Sequence, residues 1–306
     1  MSSAPVSRRA VDRRGELSGA GLSALMAVLF AFVVIMGKDV LKGHLPFVVL
    51  AIRFAGQSVL LLFVLIVLRR PLVPEPGERL PLVLAATLGY GTESASFFTA
   101  VGHGSAAAVT LLFYTYPVLV MLGTIVLDRR APARELYVAL GLALAGSAVV
   151  VIGGKELELE TLGIVLALVT AFAYTGYLMA TDRFVKRTDP LTAATWLGAG
   201  AALANLVYGI AFGATDLPAA GSWPTLGLMA LFSAGAFVAM IGGLQRVGAV
   251  RNAIIGVMEP LTVAVLAFAF LAEPITWSTA TGGVLILVGA VIATTVRTTR
   301  TAEPNV

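Results

Sequence analysis

Charge is scarce in this chain, and its scarcity excludes more than any motif does. Of 306 residues only 12% are charged, while 58% are hydrophobic. A soluble domain carries roughly 25% charged residues, and so small a complement could not cover a water-exposed surface of this size. Cysteine is absent, which removes disulfides and thiolate chemistry and leaves the redox compartment unread. The two histidines, His44 and His103, both fall near the ends of apolar runs. With no cysteine and no clustered histidine, no metal site and no cofactor are expected. A phosphate-binding loop of the glycine, four residues, glycine-lysine type is missing too, and no polar stretch could house an ATPase domain. The net charge of +4 would suit nucleic acid, but its distribution points to a membrane and no nucleic-acid partner is expected.

What the chain has in abundance is long apolar blocks, with a mean hydropathy of +0.93. Measured against the ~20 residues needed to cross a bilayer, they give ten predicted spans. These run over about 18–37, 46–68, 80–101, 105–127, 134–152, 162–182, 190–212, 223–244, 249–271 and 276–296. The run from Gly21 to Gly37 follows Arg8, Arg9, Arg13 and Arg14 as in a signal peptide. It is longer than a signal-peptide core and has no small-residue cleavage site, so it reads as a retained span. The polar tails, 1–17 and 297–306, are expected to be disordered and cytoplasmic.

Charge bias supports that count. Seventeen Lys and Arg fall in the tails and in the loops near 69–79, 128–134, 183–187 and 245–251. The alternate loops hold only Lys38, Lys42 and Lys155. By the positive-inside rule this places both termini in the cytoplasm, with an even number of spans.

The two halves repeat at an offset of 142–144 residues. Phe30-Ala31-Phe32 answers Phe172-Ala173-Tyr174, Pro46 answers Pro190, Pro117 answers Pro260, and Pro132 and Gly141 answer Pro274 and Gly283. Agreement in order and offset carries more weight than any one match. Five spans per unit means that the second repeat (162–296) enters the membrane inverted relative to the first (18–152). Inverted repeats are the architecture of alternating-access transporters, with the site at the midplane between them.

The stretch Phe98-Thr99-Ala100-Val101-Gly102-His103-Gly104-Ser105, followed by Tyr114-Thr115-Tyr116-Pro117, resembles a signature of the drug/metabolite transporter superfamily, EamA type. Gly243-Leu244-Gln245-Arg246-Val247-Gly248-Ala249, then Met258-Glu259-Pro260 and Ala272-Glu273-Pro274, resembles its second copy. The first half departs from that pattern, with Arg129-Arg130-Ala131-Pro132 where the second has Ala272-Glu273-Pro274. The resemblance implies a multi-pass protein of the bacterial plasma membrane that exports amino acids or similar metabolites and is not an enzyme. It also implies a central cavity ringed by spans 1, 3, 4, 6, 8 and 9.

Ionisable groups inside spans cost about 2.5–3.5 kcal/mol each at the centre on insertion scales, so each needs a reason. Glu93 lies about eight residues into span 3 and Arg53 about seven into span 2, ~12 and ~10 Å deep at 1.5 Å per residue. Similar depth makes an Arg53–Glu93 pair the natural expectation. It would serve substrate binding, proton exchange or a purely structural bridge, unless Arg53 snorkels to the interface. Glu259 precedes Pro260 near the middle of span 9, and Pro117 makes the matching break in span 4; each proline exposes backbone polarity inside the membrane.

Tyr114, Tyr174, Phe30, Phe32 and Phe237 are mid-span aromatics, whereas interface belts sit at span ends. Tyr114, Tyr174, Phe30 and Phe237 join the three charged residues as substrate-site candidates, with helix–helix packing as the ordinary alternative. Trp196, Trp223 and Trp277 near span ends suit anchoring. Asn205 and Tyr208 suit interhelical hydrogen bonds, Lys38 and Asp39 a solvated loop or an outer gate, and His103 no role. Spans 5 and 10, rich in Gly and Ala, are expected to serve as scaffold or as the contact of a homodimer. The expected partners are a small-molecule substrate and the lipid bilayer. The competing functions are a membrane-embedded enzyme acting on lipid, a channel, and an exporter of cationic drugs or nucleosides.

Overall fold

The computed structural model describes residues 5–40, 46–129, 131–153, 159–214, 216–271 and 275–296. His44, Lys42, Lys155, the Ala272-Glu273-Pro274 segment and the C-terminal tail lie outside them, as do the side chains of Lys38 and Asp39. Among the described residues the chain is helical, and its only strand-like feature is an isolated bridge between Gly104 and Leu159.

Helices α1 (Pro5–Val40) and α2 (Pro46–Val67) correspond to the first two predicted spans. The third is a continuous helical path in three pieces: α3 (Arg79–Leu84), a π-helical stretch (Ala85–Gly91) and α4 (Thr92–Val101). The fourth divides into α5 (Ala106–Phe113) and α6 (Tyr116–Asp128), and α7 (Arg134–Ile152) completes the first half. The second half contains α8 (Thr161–Phe184), α9 (Pro190–Ala211), α10 (Trp223–Gly256), α11 (Glu259–Leu271) and α12 (Trp277–Thr295). Among the described residues eight stretches are long and apolar enough to cross a membrane. The π-helical stretch takes the third predicted span out of that set, and the ninth contributes only the shorter helix Glu259–Phe270.

Residues 5–17, expected to be a disordered tail, begin α1 instead. No proline interrupts the chain between Pro5 and Val40, and extending an existing helix avoids the cost of nucleation. Glu16 in that segment lies 3.8 Å from Arg251, which ties it to α10.

The breaks in spans 4 and 9 share one cause. A proline cannot donate to the carbonyl four residues back. Pro117 therefore leaves Phe113 without its helical donor, and Pro260 does the same to Gly256. In each case the two residues before the new helix form a turn, Tyr114-Thr115 in one half and Val257-Met258 in the other, so the breaks fall in the same register of the repeat. Gly248, at φ 79°, adds a kink inside α10 that an L side chain would resist.

The strongest packing joins one half to the other: α1 lies along α10, α2 on α9, and α7 on α12. The α7–α12 contact brings backbone against backbone. A Cβ at Gly146 would lie 2.5 Å from the Gly282 carbonyl oxygen, and one at Gly282 equally close to the Gly146 oxygen. Spans 5 and 10 thus use these small residues on each other, backbone to backbone, as membrane helices do where lipid offers no hydrophobic drive.

Candidate functional site

The two halves enclose a cavity of about 70 Å³, with Arg53, Tyr90, Glu93, Phe113, Tyr174 and Glu259 in its wall. Each comes from a different element: α2, the π-helical stretch, α4, α5, α8 and α11. Arg53 and Glu93 are 3% and 8% exposed, in a setting where water cannot stabilise either charge. Arg53 donates a hydrogen bond to the Tyr90 hydroxyl and lies within coulombic reach of Glu93. Equal depth does bring the two side chains to one cavity, but the arginine bonds the tyrosine and makes no direct ion pair with the glutamate. Its guanidinium also stands 4.1 Å from the Phe54 ring centroid. The Arg53 Nε has no hydrogen-bond partner.

Glu259 occupies the first turn of α11, made available by the break before Pro260. Tyr114, at the end of α5, is hydrogen-bonded to its carboxylate. The two breaks therefore deliver one residue each to a single contact between the halves.

Glu259 also lines a second, larger cavity of about 370 Å³ together with Tyr114, Phe113, Ala107, Val150 and Thr279. That vestibule opens between α5, α7, α11 and α12 at the end of the bundle bearing His103 and Glu160. Val34, Phe97, Phe113 and Glu259 belong to both cavities.

Behind the site the aromatic residues interlock. Tyr90 meets Phe237 at 4.6 Å between ring centroids, Tyr177 at 5.3 Å and Phe54 at 5.5 Å. Tyr174 meets Tyr116 at 4.7 Å and Phe113 at 5.4 Å. Phe30 lines the cavity and packs on Phe237 at 5.6 Å. Phe237 is fully buried behind the wall rather than in it. Phe32 stacks on Phe232 at 4.7 Å, away from the cavity. Asn205 donates to Ser94, and Tyr208 shares a hydrogen bond with Thr92, so both hold α9 to α4. His103 bonds Glu160 at 3.0 Å on the surface. Span 2 thus supplies a charged wall residue, while span 8 only backs the site. Among the described residues no group of three or more His, Asp and Glu could hold a metal.

At the opposite end of the bundle a carboxylate latch that the sequence did not flag ties the start of α3 to the loop between α8 and α9. Glu78, 5% exposed, accepts hydrogen bonds from the backbone N–H groups of Lys186, Arg187 and Thr188 at 2.9–3.2 Å. The Thr188 hydroxyl donates to the same carboxylate at 2.7 Å. Burial pushes the Glu78 pKa up, but these donors outweigh it and hold the carboxyl below the usual range. Gln245 donates to the Val185 and Thr188 carbonyls, tying α10 to the same loop.

Tyr90 is the clearest omission from the sequence reading. It is a mid-span tyrosine, and the rule that singled out Tyr114 and Tyr174 applies to it equally. Phe113 carries the same signal, since it stands at the break that Pro117 imposes.

The EamA-like transporter family profile matches residues 17–152 and again 161–295. An uncharacterized transporter of Archaeoglobus fulgidus is 29% identical over 201 residues, 65% of this chain and 71% of that protein. An uncharacterized transporter of Synechocystis is 30% identical over 178 residues, and there the match spans only about half (52%) of the relative and 55% of this chain. The uncharacterized transporter YwfM of Bacillus subtilis is 26% identical over 231 residues, 73% of this chain and 76% of that one. One solved crystal structure shares the fold at a TM-score of 0.76, covering 90% of this chain and 96% of its own at 19% identity. With both halves matched and each of these relatives named a transporter, this multi-pass membrane protein belongs to the EamA-like transporter family.

Proposed function

We propose that the chain is a gradient- or exchange-driven exporter of small polar metabolites, amino acids above all, in the bacterial plasma membrane. It works by alternating access of two inverted five-helix repeats, with ten spans and both termini cytoplasmic. The observation that carries this reading is the cavity itself, where both halves place one arginine, two glutamates and tyrosine hydroxyls between aromatic walls. A zwitterion needs such a set: Arg53 for its carboxylate, Glu259 or Glu93 for its ammonium, and rings for its side chain. The vestibule gives that site access from one end, while the Glu78 latch closes the other. In this reading the closed end is cytoplasmic, since Arg70, Arg79, Lys186 and Arg187 cluster there.

The excess of one carboxylate over the single arginine favours a second reading, export of organic cations. Reconstituted protein in liposomes preloaded with unlabelled amino acids separates the two. Saturable counterflow of labelled amino acid, reduced at least tenfold by Glu259→Gln and by Arg53→Gln, is the expected result. Counterflow confined to organic cations, unaffected by Arg53→Gln, would overturn the amino-acid reading in favour of the second.

A further inference from the structure

On the outside of the bundle, a groove of about 420 Å³ runs between α3, the π-helical stretch and α8. One wall is Leu80, Leu84 and Leu88, spaced four residues apart on one helical face, and the other is Gly176, Ala180 and Phe184. These walls are open to the surroundings: Leu80 is 67% exposed, Leu88 65% and Phe184 52%. From Leu80 to Leu88 the path covers about 12 Å at 1.5 Å per residue, close to the ~15 Å hydrocarbon depth of one leaflet.

Where the groove reaches the latch end, Arg79, Arg183, Lys186 and Arg187 are all exposed. The nearby acids are Glu78, buried in the latch, Asp182, and Glu75 on the preceding loop. Arg187 is 3.5 Å from Glu78 and also bonds the Pro76 carbonyl, and Arg183 reaches the Leu127 carbonyl. Arg79 commits its Nε to the Pro74 carbonyl, so its guanidinium NH2 groups and Lys186 are the cations best placed for a headgroup. An apolar channel one leaflet long, with cations at its polar end, complements a single kind of occupant.

We infer that this groove is a binding site for an anionic phospholipid, its acyl chain between α3 and α8 and its phosphate against Arg79 and Lys186. The inference rests on the membrane-spanning reading of the fold and is independent of what the central cavity carries. Its floor is Gly89 and Tyr177, and Tyr177 packs on Tyr90 of the central site. The lipid therefore sits one side chain away from the candidate site.

Gly176 offers a clean test, because it lines the groove and a Cβ there meets nothing within 4 Å, so a larger side chain starts into open space. Gly141 is an equally open position on α7, remote from the groove. The purified full chain, incubated with equal amounts of phosphatidylglycerol and phosphatidylcholine, would be examined by native mass spectrometry for retained lipid, and its melting recorded. Wild type and Gly141→Leu are expected to retain one phosphatidylglycerol in preference to phosphatidylcholine. Gly176→Leu should lose it while melting unchanged, and Lys186→Gln should weaken retention about fivefold, as one lipid-facing cation does. Equal retention of the two lipids by wild type, or retention by Gly176→Leu equal to that of Gly141→Leu, would overturn the site. Either result leaves the counterflow assay to judge transport separately.

Discussion

Replacing Glu78 by Gln should loosen the closed end of the bundle and change which face of the protein is accessible. The carboxylate collects four short hydrogen bonds, from the N–H groups of Lys186, Arg187 and Thr188 and from the Thr188 hydroxyl. A hydrogen bond to a charged group contributes about 1.5–3 kcal/mol and a neutral one about 0.5–1.5, so neutralising the acceptor costs about 1 kcal/mol per bond. The glutamine must also point its NH2 group at one of these donors. The sum is about 3 kcal/mol, since bonds that share one acceptor are not independent. If the latch forms only when this end is closed, the equilibrium between closed and open should move roughly 100-fold.

The chain has no cysteine, so single cysteines can report on both ends without further engineering. Ala107→Cys lines the vestibule, and Ala249→Cys is buried beyond the kink at Gly248. In the Glu78→Gln background, maleimide labelling should slow at the first and quicken at the second, with melting still cooperative. Acidity should not reproduce this in the mild range. The Glu78 pKa is lowered from 4.5, so its contribution is complete above that value and is lost only as pH falls through the lower one. The wild-type labelling ratio should stay flat from about pH 8 to pH 5 as far as Glu78 governs it. A cooperatively folded Glu78→Gln protein with the wild-type ratio would refute the reasoning.

Two further substitutions probe the frame. Gly146→Leu forces a Cβ to within 2.5 Å of the Gly282 oxygen and 2.8 Å of the Ile286 nitrogen. It should destabilise the fold by about 1–3 kcal/mol and so lower melting and yield, whereas Gly141→Leu on the same helix should not; equal melting of the two would show that the α7–α12 contact is looser than described. Pro117→Ala restores a backbone donor to Phe113 and lets α5 run on into α6. Melting is expected to hold or rise, since an interior proline costs a helix about 3 kcal/mol, while counterflow should fall at least tenfold. Full transport with that helix straightened would mean that the break has no part in the cycle.

What could be read in the sequence was whatever leaves a periodic or chemical mark along one chain. Apolar runs marked the spans, and the register of Pro117 and Pro260 marked the two breaks. Charge inside apolar runs marked Arg53, Glu93 and Glu259, which the fold gathers in one cavity. Depth along a helix, however, carries no rotational information, so it could not say that Arg53 turns to Tyr90. The π-helical stretch at Ala85–Gly91 depends on hydrogen-bond register, which composition does not encode. The latch was invisible for a related reason: its donors are backbone N–H groups of residues 186–188, and any sequence presents such groups. Residues 5–17 misled because Arg and Glu look solvated and loose, yet they simply extend a helix already nucleated within the apolar run.

The register of the two breaks has a consequence for the energy of the cycle. At the offset that aligns Pro117 with Pro260, the residue matching Glu259 is Tyr116. Glu259 faces the vestibule, whereas Tyr116 is 3% exposed and donates its hydroxyl to the Ala253 carbonyl. If the halves trade conformations as the cavity changes sides, Glu259 moves from a wet position to the dry one that Tyr116 holds now. An ionised carboxylate cannot make that journey unaccompanied without a penalty of several kcal/mol. It would travel protonated or paired with a cation, so each return stroke would carry a positive charge inward with the side chain. In that scheme a tyrosine and a glutamate at matching places in a duplicated fold make the two directions of movement chemically different, and a residual exchange by Glu259→Gln that is indifferent to a pH gradient would be its signature.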